Sequence, residues 1–406
     1  MKFGWLVLAG VLAGCQTAAV KDTAKETPKP PPAQCQCPPE KPPVAAVPQP
    51  VFVPAGWESL PDWGALNLAN SWQAFQQSCK ALSKKKGWQE VCAQSGQVDA
   101  ADNAAQRAFF EANFTPYQIR TAEGGETGLI TGYYEPLLKG AKHKSARFRY
   151  PLYAAPDDLL EIDLGEVYPQ LKGMRLRGRL KGKRVVPYYN RAEIDAGAAA
   201  LKGRELCWVE DPVELFFLQI QGSGRIELPD GQALKVGYAD QNGFPYVSVG
   251  KKLIEMGELK PEEASMQGIK AWGQRNPDKL PALLGQNPSY VFFRELPGHL
   301  TAPLGALGVP LTGGYSIAVD TRVVPLGAPV LLATTEPNSN TPLNRLMLAQ
   351  DTGGAIKGVI RADFFWGFGE TAAANAGRMK QQGRMWVFFP KGLEPGGSGT
   401  ANGSGS

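Results

Sequence analysis

Histidine is almost absent: His143 and His299 are the only two in 406 residues. That excludes a multi-histidine metal centre and an elaborate histidine relay. The 6 cysteines contain no Cys-x-x-Cys pair, so zinc finds no thiolate frame either. No apolar run is long enough to cross a bilayer as a helix. Neither sign of charge dominates, since 43 Lys and Arg stand against 38 Asp and Glu, and the formal net charge of +5 is too dilute to mark a nucleic-acid partner. Gly222-Ser223-Gly224 and Gly367-Phe368-Gly369 are too short for a phosphate cradle, and no Gly-x-Ser-x-Gly elbow sits between a strand and a helix. Neither a metal nor a cofactor is expected. The composition, 43% apolar and 20% charged, is that of a folded chain of two or three domains whose reactive groups are carboxylates.

Lys2 and the apolar run from Phe3 to Gly14 have the charged start and short hydrophobic stretch of an export signal over residues 1–14. The run ends in Leu12-Ala13-Gly14-Cys15, which resembles the bacterial lipobox and implies lipid attachment at Cys15; Gln16 in place of aspartate implies sorting to the outer membrane. From Cys15 to Gly56 the chain is rich in Pro, Ala, Lys and Gln, with Pro30-Pro31-Pro32 and Pro38-Pro39, and predicts an extended tether reaching on the order of 100 Å. Export permits disulfides, and Cys79 with Cys92 is the best candidate pair. Cys35 and Cys37 fall in the tether, and Cys207 beside Trp208 reads as a buried apolar residue.

Between Ser59 and Glu111, apolar residues recur at helical spacing and predict two or three helices. After Glu111 the texture becomes short apolar runs punctuated by Gly and Pro: 129–134, 185–189, 215–221, 233–236, 290–293, 315–319, 329–333, 346–349, 359–362 and 385–389. They predict strands in barrels or sandwiches rather than a doubly wound sheet, interrupted by a helical patch at 253–256 and 262–276 and a boundary at Asn287-Pro288. Residues 392–406, rich in Gly and Ser, predict a disordered tail.

Chemistry concentrates between Ala349 and Gly369. One apolar strand delivers Asp351 to its end, Gly353-Gly354 turns the backbone, and a second run, Val359 to Ala362, delivers Asp363 beside Phe364, Phe365 and Trp366. Glycoside cleavage wants this combination, a carboxyl that protonates a leaving oxygen while aromatic faces hold sugar rings; Tyr133, Tyr134, Trp366 and Phe368 are candidate faces. The same residues also fit a turn cap, a strand end and core aromatics. Asp351-Thr352-Gly353 matches an aspartic-protease loop, but a second copy is missing because Asp320-Thr321 is followed by Arg322.

Four motifs in order resemble the membrane-bound lytic murein transglycosylase A family: Thr131-Gly132-Tyr133-Tyr134-Glu135-Pro136, Gln219-Ile220-Gln221-Gly222-Ser223-Gly224, Ser316-Ile317-Ala318-Val319-Asp320, and Asp351 to Gly369. The carboxy-terminal part resembles the three-aspartate domain through Asp320, Asp351 and Asp363. The resemblance implies a mainly β fold with some helices: a six-stranded double-psi β-barrel catalytic domain (57–136 with 286–391), a second β-rich domain inserted at 137–285, and a glycan groove between them. It implies cleavage of the β-1,4 bond between N-acetylmuramic acid and N-acetylglucosamine without water, leaving 1,6-anhydro ends. Asp363 would act as acid and then base, Asp351 would stabilise positive charge at C1 or orient Asp363, and Asp320 would assist or hold a strand end. Gln219, Gln221, Ser223, Thr131, Tyr133 and Tyr134 would line the groove. The implied partners are peptidoglycan glycan strands and the outer membrane, facing the periplasm, with the chain monomeric. A wall hydrolase with Asp351 as base, or a glycan-binding lipoprotein without activity, are the alternatives.

Overall fold

In the computed structural model the described residues are 49–395 except 172, 173 and 175. The leader, Cys15, Cys35, Cys37, the tether up to 48 and the tail from 396 lie outside them.

The first described strand already departs from the expected tether: β1 (Val51–Pro54) pairs antiparallel with β2 (Phe114–Arg120). Val51, Phe52 and Val53 carry enough apolar and β-branched surface to join a sheet edge, and Phe52 packs edge-on against Phe389. Three helices follow, α1 (Ala69–Leu82), α2 (Gln89–Ser95) and α3 (Asn103–Asn113). On α1 the buried residues Trp72, Phe75, Cys79 and Leu82 form a single stripe at helical spacing. Their rings meet Phe109, Phe110 and Phe114 at centroid distances of 5.0 to 5.9 Å. Cys79 and Cys92 form a disulfide that ties α1 to α2 across a separation of 13 residues. A loop of this length contributes about 3 kcal/mol through the unfolded chain.

The chain continues through β3 (Gly128–Glu135), β4 (Leu137–Ala141), β5 (Tyr150–Tyr153), β6 (Leu160–Ile162), β7 (Leu176–Lys181), β8 (Arg184–Pro187), α4 (Arg191–Asp195), β9 (Glu205–Val209), α5 (Pro212–Gln221), β10 (Ser223–Glu227), β11 (Ala233–Gln241), α6 (Val249–Glu255), α7 (Met266–Arg275), α8 (Leu280–Leu284) and β12 (Val291–Glu295). It ends with β13 (Ser316–Val319), β14 (Pro329–Thr335), β15 (Pro342–Asp351), β16 (Arg361–Phe368), α9 (Glu370–Arg378) and β17 (Lys380–Pro390).

The strands β3, β16, β13, β15, β14 and β17 pair in that order, and β17 returns to β3, closing a barrel. Two of its pairs, β13 with β15 and β3 with β16, run parallel. β2 and β1 extend it from β17. Ile130, Ile317, Val319, Leu331, Leu346, Ala362, Phe364 and Val387 fill its core together with the helical aromatics. The second sheet, ordered β12-β11-β10-β4-β9-β5, packs on α5 and the helices that follow, with Leu138, Cys207, Leu218, Val236 and Phe293 buried between. β12 belongs to this sheet, which therefore runs past the boundary expected at Asn287-Pro288: Phe293 fills the sheet's core, and Phe292 packs on the other side with Tyr188 and Tyr290. A separate three-stranded sheet is made by β6, β7 and β8.

Two further expectations are corrected. Residues 215–221, expected as a strand, lie in α5: Asp211 caps its amino end by accepting from Val213 and Glu214, Pro212 opens the first turn, and Gly222 at φ +78° ends it. The start of the expected tail is packed, with Leu393 against the barrel core and the Tyr117 hydroxyl donating to Glu394.

Candidate active site

Strand register brings the site together. Asp363 on β16 pairs with Thr131 on β3 and with Ala318 on β13, and Ala318 pairs in turn with Asp351 at the end of β15. Thr131, Asp363, Ala318 and Asp351 thus form one row across four adjacent strands. The two aspartates stand two strand spacings apart, about 9.5 Å between backbones. Asp363 lies within β16, which begins at Arg361, and not at the end of a strand running from Val359 to Ala362 as expected.

Ala349 is a barrel-core residue, and strict alternation would send Asp351 to the same side. A register shift between Ile317 and Ala318 places one extra residue, Gln350, in β15 and turns Asp351 to the face of Asp363. The extra residue is held firmly: buried Gln350 accepts from Ser316 Oγ and donates to Ala74 O and Ser78 Oγ of α1. Helix α1 therefore anchors the bulge that aims the second carboxylate.

On this face, opposite the barrel core, Tyr133, Ala318 and Phe365 pack with Leu311 and Ile356 from the flanking loops. The Tyr133 and Phe365 rings are 5.0 Å apart, and Tyr133 OH donates to Asp351 Oδ2 at 2.9 Å. Asp351 Oδ1 accepts from the backbone N–H groups of Ala306 and Thr352 at 3.0 and 2.9 Å. Three donors on two oxygens make a setting for a carboxylate that stays an acceptor.

Asp363 is treated differently. Its Oδ1 accepts from Thr131 Oγ1 at 2.5 Å, and Arg361 Nη2 donates to that same Thr131 oxygen at 2.9 Å. A hydroxyl has one proton, so Thr131 donates to Asp363 while receiving from Arg361. Burial holds the Asp363 carboxyl above the usual carboxylate range; the Thr131 hydrogen bond and Arg361 pull it down, Asp351 pushes it up, and burial prevails. Of the aromatics expected to enclose it, only Phe365 shares its face. Phe364 and Trp366 turn the other way and pack on each other at 4.6 Å.

Asp320, the third aspartate, is buried and fully paired. Arg322 grips it at 2.9 and 2.6 Å, and Gly358 N–H donates to Oδ2 at 3.0 Å. Burial would raise its pKa, yet Arg322 and these backbone donors hold it below the usual range. It fastens the loop carrying Ile356 to the end of β13.

The residues expected to line the groove divide. Gln219 is buried within α5 and hydrogen-bonds Tyr290, while its Oε1 has no partner among the described residues. Gln221 Oε1 accepts from Tyr134 N–H at 3.1 Å and joins the second sheet's helix to the barrel strand that carries Thr131. Ser223 opens β10, half-buried, and Tyr134, also half-buried, approaches Met266 with its hydroxyl. Tyr133 is buried, Trp366 packs on the barrel core, and Phe368 is exposed. Cys207 is buried in the second sheet, its thiol pushed up to about 12 by burial, which leaves it inert.

Sequence reasoning missed Arg361, which sits two residues from Asp363 on the same strand face, a spacing that was readable. It also named Glu135 in a motif without giving it a role. That side chain is buried and takes a two-pronged hydrogen bond from Arg225 Nε and Nη2 at 3.0 and 2.8 Å, while the guanidinium lies 4.1 Å over the Phe368 ring and Nη2 also reaches Thr301 O. This joint ties β3 and β16 of the barrel to β10 of the second sheet.

Comparison with known proteins agrees with this layout. Residues 129–294 match the MltA specific insert domain, and residues 315–389 match the 3D domain. The chain is 33% identical over 329 residues to membrane-bound lytic murein transglycosylase A of Escherichia coli, covering 79% of this chain and 76% of that one. The crystal structure of MltA from Neisseria gonorrhoeae is similar with a TM-score of 0.74 at 41% identity, over 86% of this chain and 97% of that chain. E. coli MltA with bound chitohexaose is similar with a TM-score of 0.62 at 28% identity, over 84% and 95%. With its acid row on the barrel and its second sheet joined through Glu135 and Arg225, the chain belongs to the lytic murein transglycosylase A family.

Proposed function

We propose that this chain is a peptidoglycan lytic transglycosylase that cuts the β-1,4 bond between N-acetylmuramic acid and N-acetylglucosamine without water, with Asp363 as its catalytic acid and base. The observation that carries the assignment is the row Thr131, Asp363, Ala318, Asp351, which pairs one carboxyl pushed toward its protonated form with one surrounded by donors. Thr131 occupies Oδ1 of Asp363, so the proton rides on Oδ2 and passes to the glycosidic oxygen as the C1–O bond breaks. The muramoyl 6-hydroxyl then attacks C1 and gives its proton to the Asp363 carboxylate, closing the 1,6-anhydro ring and restoring the acid. One proton leaves and one returns, and water is not consumed. Asp351, its oxygens turned to three donors, stabilises the positive charge that develops at C1 and steadies Tyr133. The hydrolase alternative needs Asp351 as a base for water; the three donors already on its oxygens argue against that role.

Cleavage of wall polymer suits a chain tied near it. The relatives are named membrane-bound, and the lipobox at Cys15, the tether and the Gln16 sorting signal support lipid anchoring in the outer membrane with the enzyme facing the periplasm. The residues that would contact the glycan are Ser223 and Tyr134 at the seam with the second sheet, Phe368 beside them, and Thr131 at the row.

The test is mass spectrometry of fragments released from purified sacculi by the chain from Gln49 onward, a start that keeps β1, run beside Asp363→Asn. Products one water lighter than hydrolytic ones, absent with the variant, are expected. Reducing-end products would make the chain a hydrolase.

A further inference from the structure

The small sheet of β6, β7 and β8 has two unlike faces. Its register pairs Leu180 with Val185, Gly178 with Leu160 and Pro187, and Leu176 with Ile162, so one face is Leu160, Ile162, Leu176, Leu180, Val185 and Pro187. A Cβ on Gly178 would meet Val185 and Ile162, which places those side chains together on this face. The opposite face turns to the body of the protein. There Arg177 pairs with Asp240 of β11 at 2.8 Å and with Glu161 at 3.3 Å, and the Arg179 guanidinium lies 4.0 Å over the Tyr189 ring. The apolar face is therefore the outward one. Its exposure rises toward the hairpin tip, where the directly opposed Leu180 and Val185 are 63% and 53% exposed. On the connection between β6 and β7, Val167 at 71% and Tyr168 at 49% add to the exposed apolar surface.

The tip is also cationic. Lys181, Lys183 and Arg184 surround the turn at Gly182 (φ +61°), all exposed, and no Asp or Glu stands between Glu166 and Glu193. A pair of apolar side chains at a hairpin end whose turn and other face carry lysine and arginine is what an interface between water, anionic headgroups and acyl chains accommodates: the cations meet phosphates and the leucine and valine enter the boundary beside them. A second copy of this chain would set one cationic tip against another, which charge opposes, and a polar glycan leaves the apolar pair uncovered. We propose that this hairpin docks onto an anionic lipid bilayer, adding a second, reversible membrane contact from within the folded part of the chain. It goes beyond the catalytic reading and does not depend on it.

The experiment is co-sedimentation of the chain from Gln16 onward, which lacks Cys15 and so any lipid on it, with phosphatidylglycerol–phosphatidylcholine vesicles and with phosphatidylcholine vesicles. Binding to the anionic vesicles that weakens as salt rises is expected, with little binding to the neutral ones. Lys181→Glu/Lys183→Glu/Arg184→Glu is expected to weaken it about a hundredfold, and Leu180→Glu/Val185→Glu at least tenfold. Both variants should release fragments from sacculi at the unaltered rate, which shows that they fold. Failure of the parent chain to bind anionic vesicles, or binding that survives both variants, overturns the proposal. So does binding to a protein that the variants abolish while the vesicles capture nothing, since the face would then be a protein site.

Discussion

Asp363, half-buried within β16, and Asp320, buried just past the end of the neighbouring β13, belong to one barrel, and the structure gives them opposite fates. Asp320 meets a guanidinium and two backbone N–H groups and is held charged. Asp363 meets a single hydroxyl, itself occupied by Arg361, and is pushed toward the neutral acid. Arg322 and Arg361 each lie two residues from their aspartate, so the presence of an arginine nearby does not distinguish the two. What does is whether the guanidinium grips the carboxylate directly or spends its donor on an intervening threonine. The first arrangement makes a fastener and the second a proton donor.

The largest expected effect separates the two roles outright. Asp363→Asn should lower turnover on sacculi by about 10³-fold or more with binding to sacculi retained. Asp320→Asn should leave turnover within about tenfold and lower stability by about 2 kcal/mol, read as a shift in the urea midpoint. The pH dependence carries the sign. The folded pKa of Asp320 lies below the unfolded one, so its contribution is complete above the ordinary value of 3.8 and fades as pH falls through the folded value. Asp320→Asn should therefore narrow its deficit against the parent chain in strong acid. If Asp320→Asn instead abolished turnover at unchanged stability, the division of roles would be wrong.

How much of this was readable in advance depends on what each feature rests on. The strand ladder was legible because short apolar runs bounded by Gly and Pro leave few other readings, and the helical stripe of Trp72, Phe75, Cys79 and Leu82 identified α1 directly. The run Leu215 to Gln221 was misread because its short apolar stretch, Leu215 to Leu218, has no period; its cap at Asp211-Pro212 and stop at Gly222 held the answer. The positions of Asp351 and Asp363 in one motif were visible, but their common face was not. That depends on the bulge at Gln350, which exists because Ser316, Ala74 and Ser78, distant in sequence, satisfy its amide. Gln219 was assigned to the groove by its motif, and what its motif could not show is that it is buried in a helix beside Tyr290.

Smaller effects sharpen the contrast around Asp363 itself. Tyr133→Phe removes the side-chain donor to Asp351 and keeps the ring against Phe365. It should cut turnover about tenfold, with the Michaelis constant little changed, because what it loosens is a charge needed as the bond breaks. An effect confined to the Michaelis constant would mark Tyr133 as a sugar contact.

Thr131→Val is the subtlest change and the most discriminating. Valine keeps the volume and removes the one hydroxyl that stabilises the Asp363 carboxylate, so the pKa of Asp363 should rise further. The enzyme needs Asp363 protonated for its first step, and activity falls as pH climbs through that pKa. The alkaline limb of the turnover profile should accordingly move to higher pH in Thr131→Val, with turnover at the optimum reduced several-fold because the carboxylate formed in the second step has lost its hydrogen bond. Arg361→Leu should move the limb the same way, since removing a nearby cation also favours the neutral acid. A threonine that only touched the sugar would change the Michaelis constant and leave the limb where it was. A limb that moved down would mean that burial does not govern Asp363, and its contrast with Asp320 would then need another cause.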